Sequence, residues 1–161
     1  MTPAEMRALL EACYQEKLAL RRRHAAAARA IASYEFNNAY QYIIAREDMH
    51  LTWLRDAIAD LGGAAPPIDP TENGLPAVAG DERAILADDA RLLGEFIARW
   101  RDRIEAMPHA RHRTMLRLML GEMLEQQRTF EQALAGRRDL LGRPLQPQGA
   151  AGRVLPRRWL E

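Results

Sequence analysis

The sequence predicts an all-α protein: a four-helix bundle in which two antiparallel hairpins are joined by a long crossover. Three observations support this prediction. Apolar residues recur at helical spacing over four long stretches of the chain. Two of the gaps between these stretches are short, which makes the helices that flank them antiparallel neighbours. The third gap, residues 62–80, is long enough when extended to run the whole length of the bundle.

The first helix begins at the N-terminal Thr2-Pro3-Ala4-Glu5. Thr2 suits the N-cap, Pro3 suits the first turn, and Glu5 completes a capping box. We expect this helix to extend to about residue 29, because the alanine run near its end favours helix. Its buried stripe is predicted to comprise Met6, Leu9, Leu10, Cys13, Lys17, Leu20 and His24.

The second helix is predicted to begin after Ser33 and to end at the Gly62-Gly63 pair, since glycine favours helix termination. The following segment, residues 62–80, contains four prolines and four glycines and cannot form a regular element. The stripe of the second helix comprises Phe36, Tyr40, Ile43, Ile44, Glu47, His50, Leu51, Leu54, Ile58 and Leu61.

The third helix is predicted to open at Asp81 and to be broken by Pro108, and the fourth to span about 109–136. The first 136 residues therefore form the predicted bundle domain. Residues 137–161 are rich in Pro, Gly and Arg and are predicted to be an extended or partly disordered tail.

Composition excludes several classes of protein. The chain has 161 residues, a net charge of about +1 and a single cysteine, Cys13. This predicts one globular domain with no disulfide framework, and it gives no argument for binding nucleic acid or an anionic membrane. Neither a signal peptide nor an apolar run of spanning length is evident, so a cytoplasmic location is expected. Lys17 is the only lysine, which indicates a GC-rich bacterial genome.

One glutamate from each helix falls at the same height in the predicted bundle. Counted from one end, Glu16, Glu47, Glu95 and Glu122 lie within about two residues of one level, roughly 3 Å along the axis. Glu47 also begins a Glu-x-x-His pair with His50. Several facing carboxylates in a core would repel one another, and a pair of metal ions removes that cost. Oxygen-rich sites with imidazole suit iron or manganese.

The four-helix layout, the long crossover and Glu47-x-x-His50 make residues 3–136 resemble the ferritin-like superfamily of carboxylate-bridged di-iron proteins, which includes bacterioferritins and rubrerythrins. The resemblance implies one Glu from each of two helices and a Glu-x-x-His pair from each of the other two. It also implies a non-haem di-iron or di-manganese centre that reacts with oxygen or peroxide.

Under this resemblance, Glu47 and Glu122 would bridge the metals, and His50, Glu16 and Glu95 would be terminal ligands. The resulting activity would be ferroxidation, peroxide removal or oxidation of a small substrate. The implied enzyme is therefore a di-iron oxidoreductase, and the sequence does not choose among these reactions.

The second half of the chain departs from the family pattern. Helix four offers Glu122-Met123-Leu124-Glu125, so that Glu125 stands where the second histidine is expected. On helix three, Glu95 has the right height but lies at the margin of the stripe, whereas Asp89 lies on the stripe but higher. A single-metal or vestigial site therefore remains an alternative. The other alternative is a metal-free bundle, acting as an interaction or stress-related module, in which Glu47 and His50 make only a local contact.

The remaining candidates concern a second metal site and the partners. His109 and His112 lie at the start of helix four, too far from His50 to share a metal. This argues against a triple-histidine bundle that resembles the DinB-like family, which is kept as a minor alternative. A homodimer or larger homo-oligomer is expected. The tail resembles short C-terminal peptides that load cargo into encapsulin shells, which makes such a shell a candidate partner.

Overall fold

A computed structural model of the chain describes residues 1–69 and 73–141. Within these residues there are four α-helices and no strands, so the all-α prediction is confirmed. Most of the predicted tail lies outside the described residues. The helices are α1 (Pro3–Ala30), α2 (Tyr34–Asp60), α3 (Glu82–Glu105) and α4 (Ala110–Leu134).

Local sequence signals account for the ends of the helices. Thr2 and Glu5 form the predicted capping box of α1. The Asp81 side chain caps α3 by accepting a hydrogen bond from the backbone N–H of Ala84, at 2.9 Å. Ser33 stands at the N-cap of α2 as predicted, although its hydroxyl caps no backbone N–H and instead donates to Glu35. After α2 the chain turns at Gly62, whose φ of +72° is unfavourable for residues with a side chain.

The helices pack in two sequential pairs, α1 with α2 and α3 with α4, and the pairs meet through α1–α3 and α2–α4 contacts. Ion pairs show the relative directions. Arg23 near the end of α1 pairs with Asp89 near the start of α3, so these helices are antiparallel. Asp60 at the end of α2 pairs with Arg111 at the start of α4, so these are antiparallel as well.

The connection between α2 and α3 contacts successive turns of α1. A Cβ added at Gly63 would overlap the Arg7 side chain, near the start of α1. Tyr14 then donates to the carbonyl oxygen of Pro66, and Arg22 donates to that of Gly74. Finally, Glu82 at the start of α3 accepts hydrogen bonds from the backbone N–H groups of residues 32 and 33, just beyond α1.

The core between the four helices is largely apolar and aromatic. Trp100, Tyr14, Tyr40, Phe96 and Phe130 are its largest apolar or aromatic members, and each is at most 1% exposed. Several charged side chains are buried among them, and these define the candidate site. No helix in the described parts of the chain has a stretch long and apolar enough to span a membrane.

Candidate functional site

The centre of the bundle contains a cluster of three charged or titratable side chains, Lys17, His24 and Glu47. All three have no exposed side-chain surface. Lys17 and His24 lie two turns apart on the core face of α1, and Glu47 faces them from α2. Lys17 Nζ donates to Glu47 Oε1 at 2.5 Å, and His24 Nδ1 lies 2.9 Å from Glu47 Oε2. Both oxygens of this buried carboxylate are therefore engaged by protein groups.

The cluster keeps Glu47 ionised. Burial by itself raises the pKa of this carboxyl, but the charges and hydrogen bonds of His24 and Lys17 outweigh burial and hold its pKa at about 2. An ionised carboxylate in a core is tolerated only where it is paired and hydrogen-bonded in this way. From the sequence we expected a metal ion to balance the negative charge of Glu47. The protein balances it with its own side chains.

A second polar cluster lies one turn along α2, where His50 meets Glu122 of α4. His50 Nε2 lies 2.8 Å from Glu122 Oε2, and the His50 side chain is fully buried. Arg46 also pairs with Glu122, with Nε 3.0 Å from Oε2. Burial, reinforced by the nearby Lys17 ammonium, lowers the pKa of His50 to about 4. His50 is therefore neutral at pH 7, and Nε2 carries the proton that it donates to the ionised Glu122.

Asp89, the alternative ligand on α3, is also buried and fully paired. Arg23 of α1 donates from Nε to Asp89 Oδ1 at 2.8 Å, and the Tyr40 hydroxyl of α2 donates to Oδ2. The Tyr40 ring packs against His24 and Phe130, with centroid separations of 6.0 and 5.1 Å. Burial and the Asp89 charge raise the pKa of Tyr40. Asp89 thus ties three helices together without needing a metal.

The remaining predicted ligands lie outside the central clusters. Glu16 turns toward α3, where it accepts hydrogen bonds from Trp100 Nε1 at 3.0 Å and from Arg99. Glu95 is 48% exposed and pairs with Arg91 on its own helix. Glu125 is 69% exposed and pairs with Arg128.

Of the six predicted ligands, then, the structure brings only three to the core or its edge: Glu47, His50 and Glu122. Each of the two carboxylates among these is already held by a cationic side chain, Lys17 or Arg46. Among the described residues, no three or more His, Cys, Asp or Glu side chains converge in a way that could hold a metal ion. The residues present therefore do not fit the metal pair that the sequence predicts.

Two buried ring nitrogens, His24 Nε2 and His50 Nδ1, have no hydrogen-bond partner among the described residues. Each belongs to a histidine whose other ring nitrogen already contacts a glutamate. His109 and His112 form a separate stacked pair, with ring centroids 4.3 Å apart. His109 is the N-cap of α4, so its position is accounted for by the helix end.

Lys17 and His24 are the site residues that the ligand prediction missed. Both fall on the apolar stripe of α1, and a titratable residue on such a stripe is expensive to bury without a partner. That placement is the sequence signal that could have found them. Neither the family models, nor the curated proteins, nor the solved structures with which the chain was compared give a match.

Proposed function

We propose that this chain is a ferritin-like helical bundle that works without a metal centre, as a binding and interaction module. The observation that carries this proposal is the Lys17 ammonium, which lies against Glu47 where a metal ion would otherwise balance the carboxylate. A resident ammonium and an incoming cation compete for the same oxygens, because both need the negative charge of Glu47.

The ferritin-like topology is part of the same proposal. The connection after α2 contacts α1 first near Arg7, then at Tyr14 and then at Arg22, and α3 begins beside the end of α1. This order of contacts supports a crossover along the length of the bundle, which is the connection that distinguishes ferritin-like bundles from simple up-and-down ones.

An interaction role is supported by apolar side chains on the outer face of α2 and α4. Met49 of α2 is 44% exposed and Leu118 of α4 is 55% exposed. Methionine is enriched at protein interfaces. We also propose that two copies of the chain associate through this face to form a homodimer. Light scattering on the purified protein checks this, and Met49→Glu together with Leu118→Glu should yield a monomer.

The second candidate function is the di-iron oxidoreductase, which the burial of Glu47 and His50 and the two unpartnered ring nitrogens favour. For this function Lys17 would have to leave Glu47 and give its place to a metal ion.

Elemental analysis separates the two candidates. The chain should be expressed with added iron and manganese, beside a Glu47→Ala control. The metal-free proposal expects no stoichiometric metal in either folded protein. About two metal ions per chain, the number in a di-iron bundle, lost in the control would instead establish a metal centre that contains Glu47. An oxygen-dependent near-ultraviolet band after ferrous loading would then test for redox activity.

A further inference from the structure

The outer side of α2 and α4 contains a groove that the charged core does not account for. Its volume is about 650 Å³, within the range of small-molecule sites in proteins. Ile43 and Leu141 supply apolar wall, and Tyr42 supplies an exposed aromatic ring at its edge. Arg46 and Gln126 add polar groups. This is a mostly apolar groove with a few polar groups, which is the usual composition of a ligand site.

Gln126 gives an independent indication of a ligand. It lines this groove, is only 4% exposed, and neither its amide nitrogen nor its amide oxygen has a hydrogen-bond partner among the described residues. Nearly all buried polar side chains in proteins are hydrogen-bonded, so such an amide requires an explanation. Leucine or methionine would fill this position without leaving a donor and an acceptor unsatisfied.

The charges that line the groove are already balanced by protein partners. Arg46 is neutralised by Glu122, and Glu125 by Arg128. A charged ligand would have to break one of these pairs, whereas an uncharged ligand would leave both intact. The groove therefore favours a neutral molecule, and the apolar wall and the Tyr42 ring favour one with a flat apolar body.

We propose that this groove binds a small, uncharged, largely apolar molecule that carries a carboxamide-like edge, and that the Gln126 amide, which lies just below the groove surface, turns into the groove to recognise this edge. A primary amide presents a donor beside an acceptor, so two amides can pair through two parallel hydrogen bonds. The pairing takes place where the amide is shielded from water, and a hydrogen bond there is stronger than one at the surface. This site goes beyond the proposed function, because it does not depend on whether the core holds a metal.

The test uses the full chain labelled with ¹⁵N and three matched probes. Benzamide carries the complete amide edge, acetophenone carries the acceptor without the donor, and benzoate carries a charge. We expect benzamide to shift the side-chain NH₂ signals of Gln126 and to bind more tightly than acetophenone. Benzoate should not bind. Equal affinity for all three probes, or shifts that lie outside the groove, would overturn the proposal.

Gln126→Met keeps the size of the side chain but removes its hydrogen bonds. We expect it to weaken benzamide binding at least tenfold and to weaken acetophenone binding less, because acetophenone loses only one hydrogen bond. Gln41→Met, at an exposed glutamine of α2 outside this groove, is the control and should change neither. Tyr42→Ala should weaken the binding of both probes. This variant therefore distinguishes the effect of losing the apolar contact from the effect of losing the Gln126 amide. Unchanged benzamide affinity in Gln126→Met would contradict the assignment.

The chain itself offers a competing occupant, because residues 142–161 follow Leu141 at the groove. Nuclear Overhauser contacts between the Gln126 amide and residues 142–161 in the probe-free protein would show that the groove is filled from within. That result would overturn the proposal of an external ligand. Absence of such contacts, together with benzamide binding, would support it.

Discussion

Lys17 and Glu47 form an ion pair in the core of the bundle, with Lys17 Nζ 2.5 Å from Glu47 Oε1 and no exposed surface on either side chain. The pair joins α1 to α2 at the height where the sequence predicts a metal. His24 holds the other carboxylate oxygen, so the cluster satisfies the charge of Glu47 from two positions of a single helix. The consequences of this arrangement can be measured.

Removing the ammonium should destabilise the fold strongly. We expect Lys17→Met to lower the free energy of unfolding by roughly 3–5 kcal/mol, because it leaves the Glu47 charge buried with His24 as its one remaining partner. Urea unfolding followed by circular dichroism gives this value. The double variant Lys17→Met with Glu47→Met should recover most of the loss, since an apolar pair of similar volume replaces the ion pair. A single variant as stable as the parent chain would show that the pair is not formed.

Reversing the charge at residue 17 should create a dependence on metal. Lys17→Glu would place a carboxylate against Glu47, and two facing carboxylates cannot both ionise without a cation. We expect this variant to have a low Tm that rises when Co²⁺ or Fe²⁺ is added, whereas the parent chain should show no such rise. Differential scanning calorimetry with and without metal measures it. Arg22→Glu, five residues further along α1, is the control and should not respond to metal.

Acid should weaken the fold through His50. Its pKa is about 4 in the folded protein against an ordinary 6.5, so the unfolded chain binds more protons between these values. Stability must therefore fall as pH decreases from about 6.5 to about 4, by up to roughly 3 kcal/mol. The difference in urea midpoint between the parent chain and His50→Gln should shrink or reverse over this window. His112→Gln serves as a comparison, because burial lowers the pKa of His112 as well. A difference that stays constant with pH would contradict the assignment.

The unpartnered amide of Gln126 should cost stability. We expect Gln126→Met to raise the free energy of unfolding by about 1–2 kcal/mol, because it removes a buried donor and acceptor that lack partners. Chemical denaturation of the two proteins side by side measures the change. A gain in stability combined with a loss of amide binding is the pattern expected of a ligand site. A destabilised variant would indicate that the amide already has a partner.

The exposed glutamates should be interchangeable with glutamine. Glu95→Gln and Glu125→Gln each remove one partner of a surface ion pair, and such pairs contribute about 0–1 kcal/mol. Neither variant should change the Tm appreciably or alter the response of the protein to added metal. A changed response to added metal in either variant would return these residues to the ligand set.

Local chemistry made the helices predictable. The Thr2–Glu5 capping box, the Asp81 cap and the positive φ at Gly62 are short-range features, and each was evident from a few neighbouring residues. The break at Pro108 follows from the missing backbone N–H of proline. Tertiary contacts were not needed for any of these.

The ligand set was less predictable, because height along a bundle does not fix direction around a helix. One residue advances a helix by only about 1.5 Å but turns it by about 100°. Glu16 and Lys17 therefore share a level, yet Glu16 turns toward Trp100 while Lys17 enters the core. Glu95 has the expected height and faces solvent for the same reason.

Stripe membership proved the better guide to burial. Asp89, Lys17 and His24 all lie on the predicted apolar stripes, and all are fully buried. The stripes do not predict which side chains pair between helices. Whether Glu47 pairs with Lys17 or binds a metal depends on how α1 and α2 are rotated relative to each other.

The burial of Lys17 also gives the protein an unusual chemical property. It is the only lysine in the chain, so a folded molecule presents no lysine amine to amine-directed reagents. Acylating labels and common cross-linkers should leave the folded bundle unmodified except at the chain terminus. Any label found on Lys17 then records that the core has opened. The rate at which this label accumulates measures how often the core opens under native conditions.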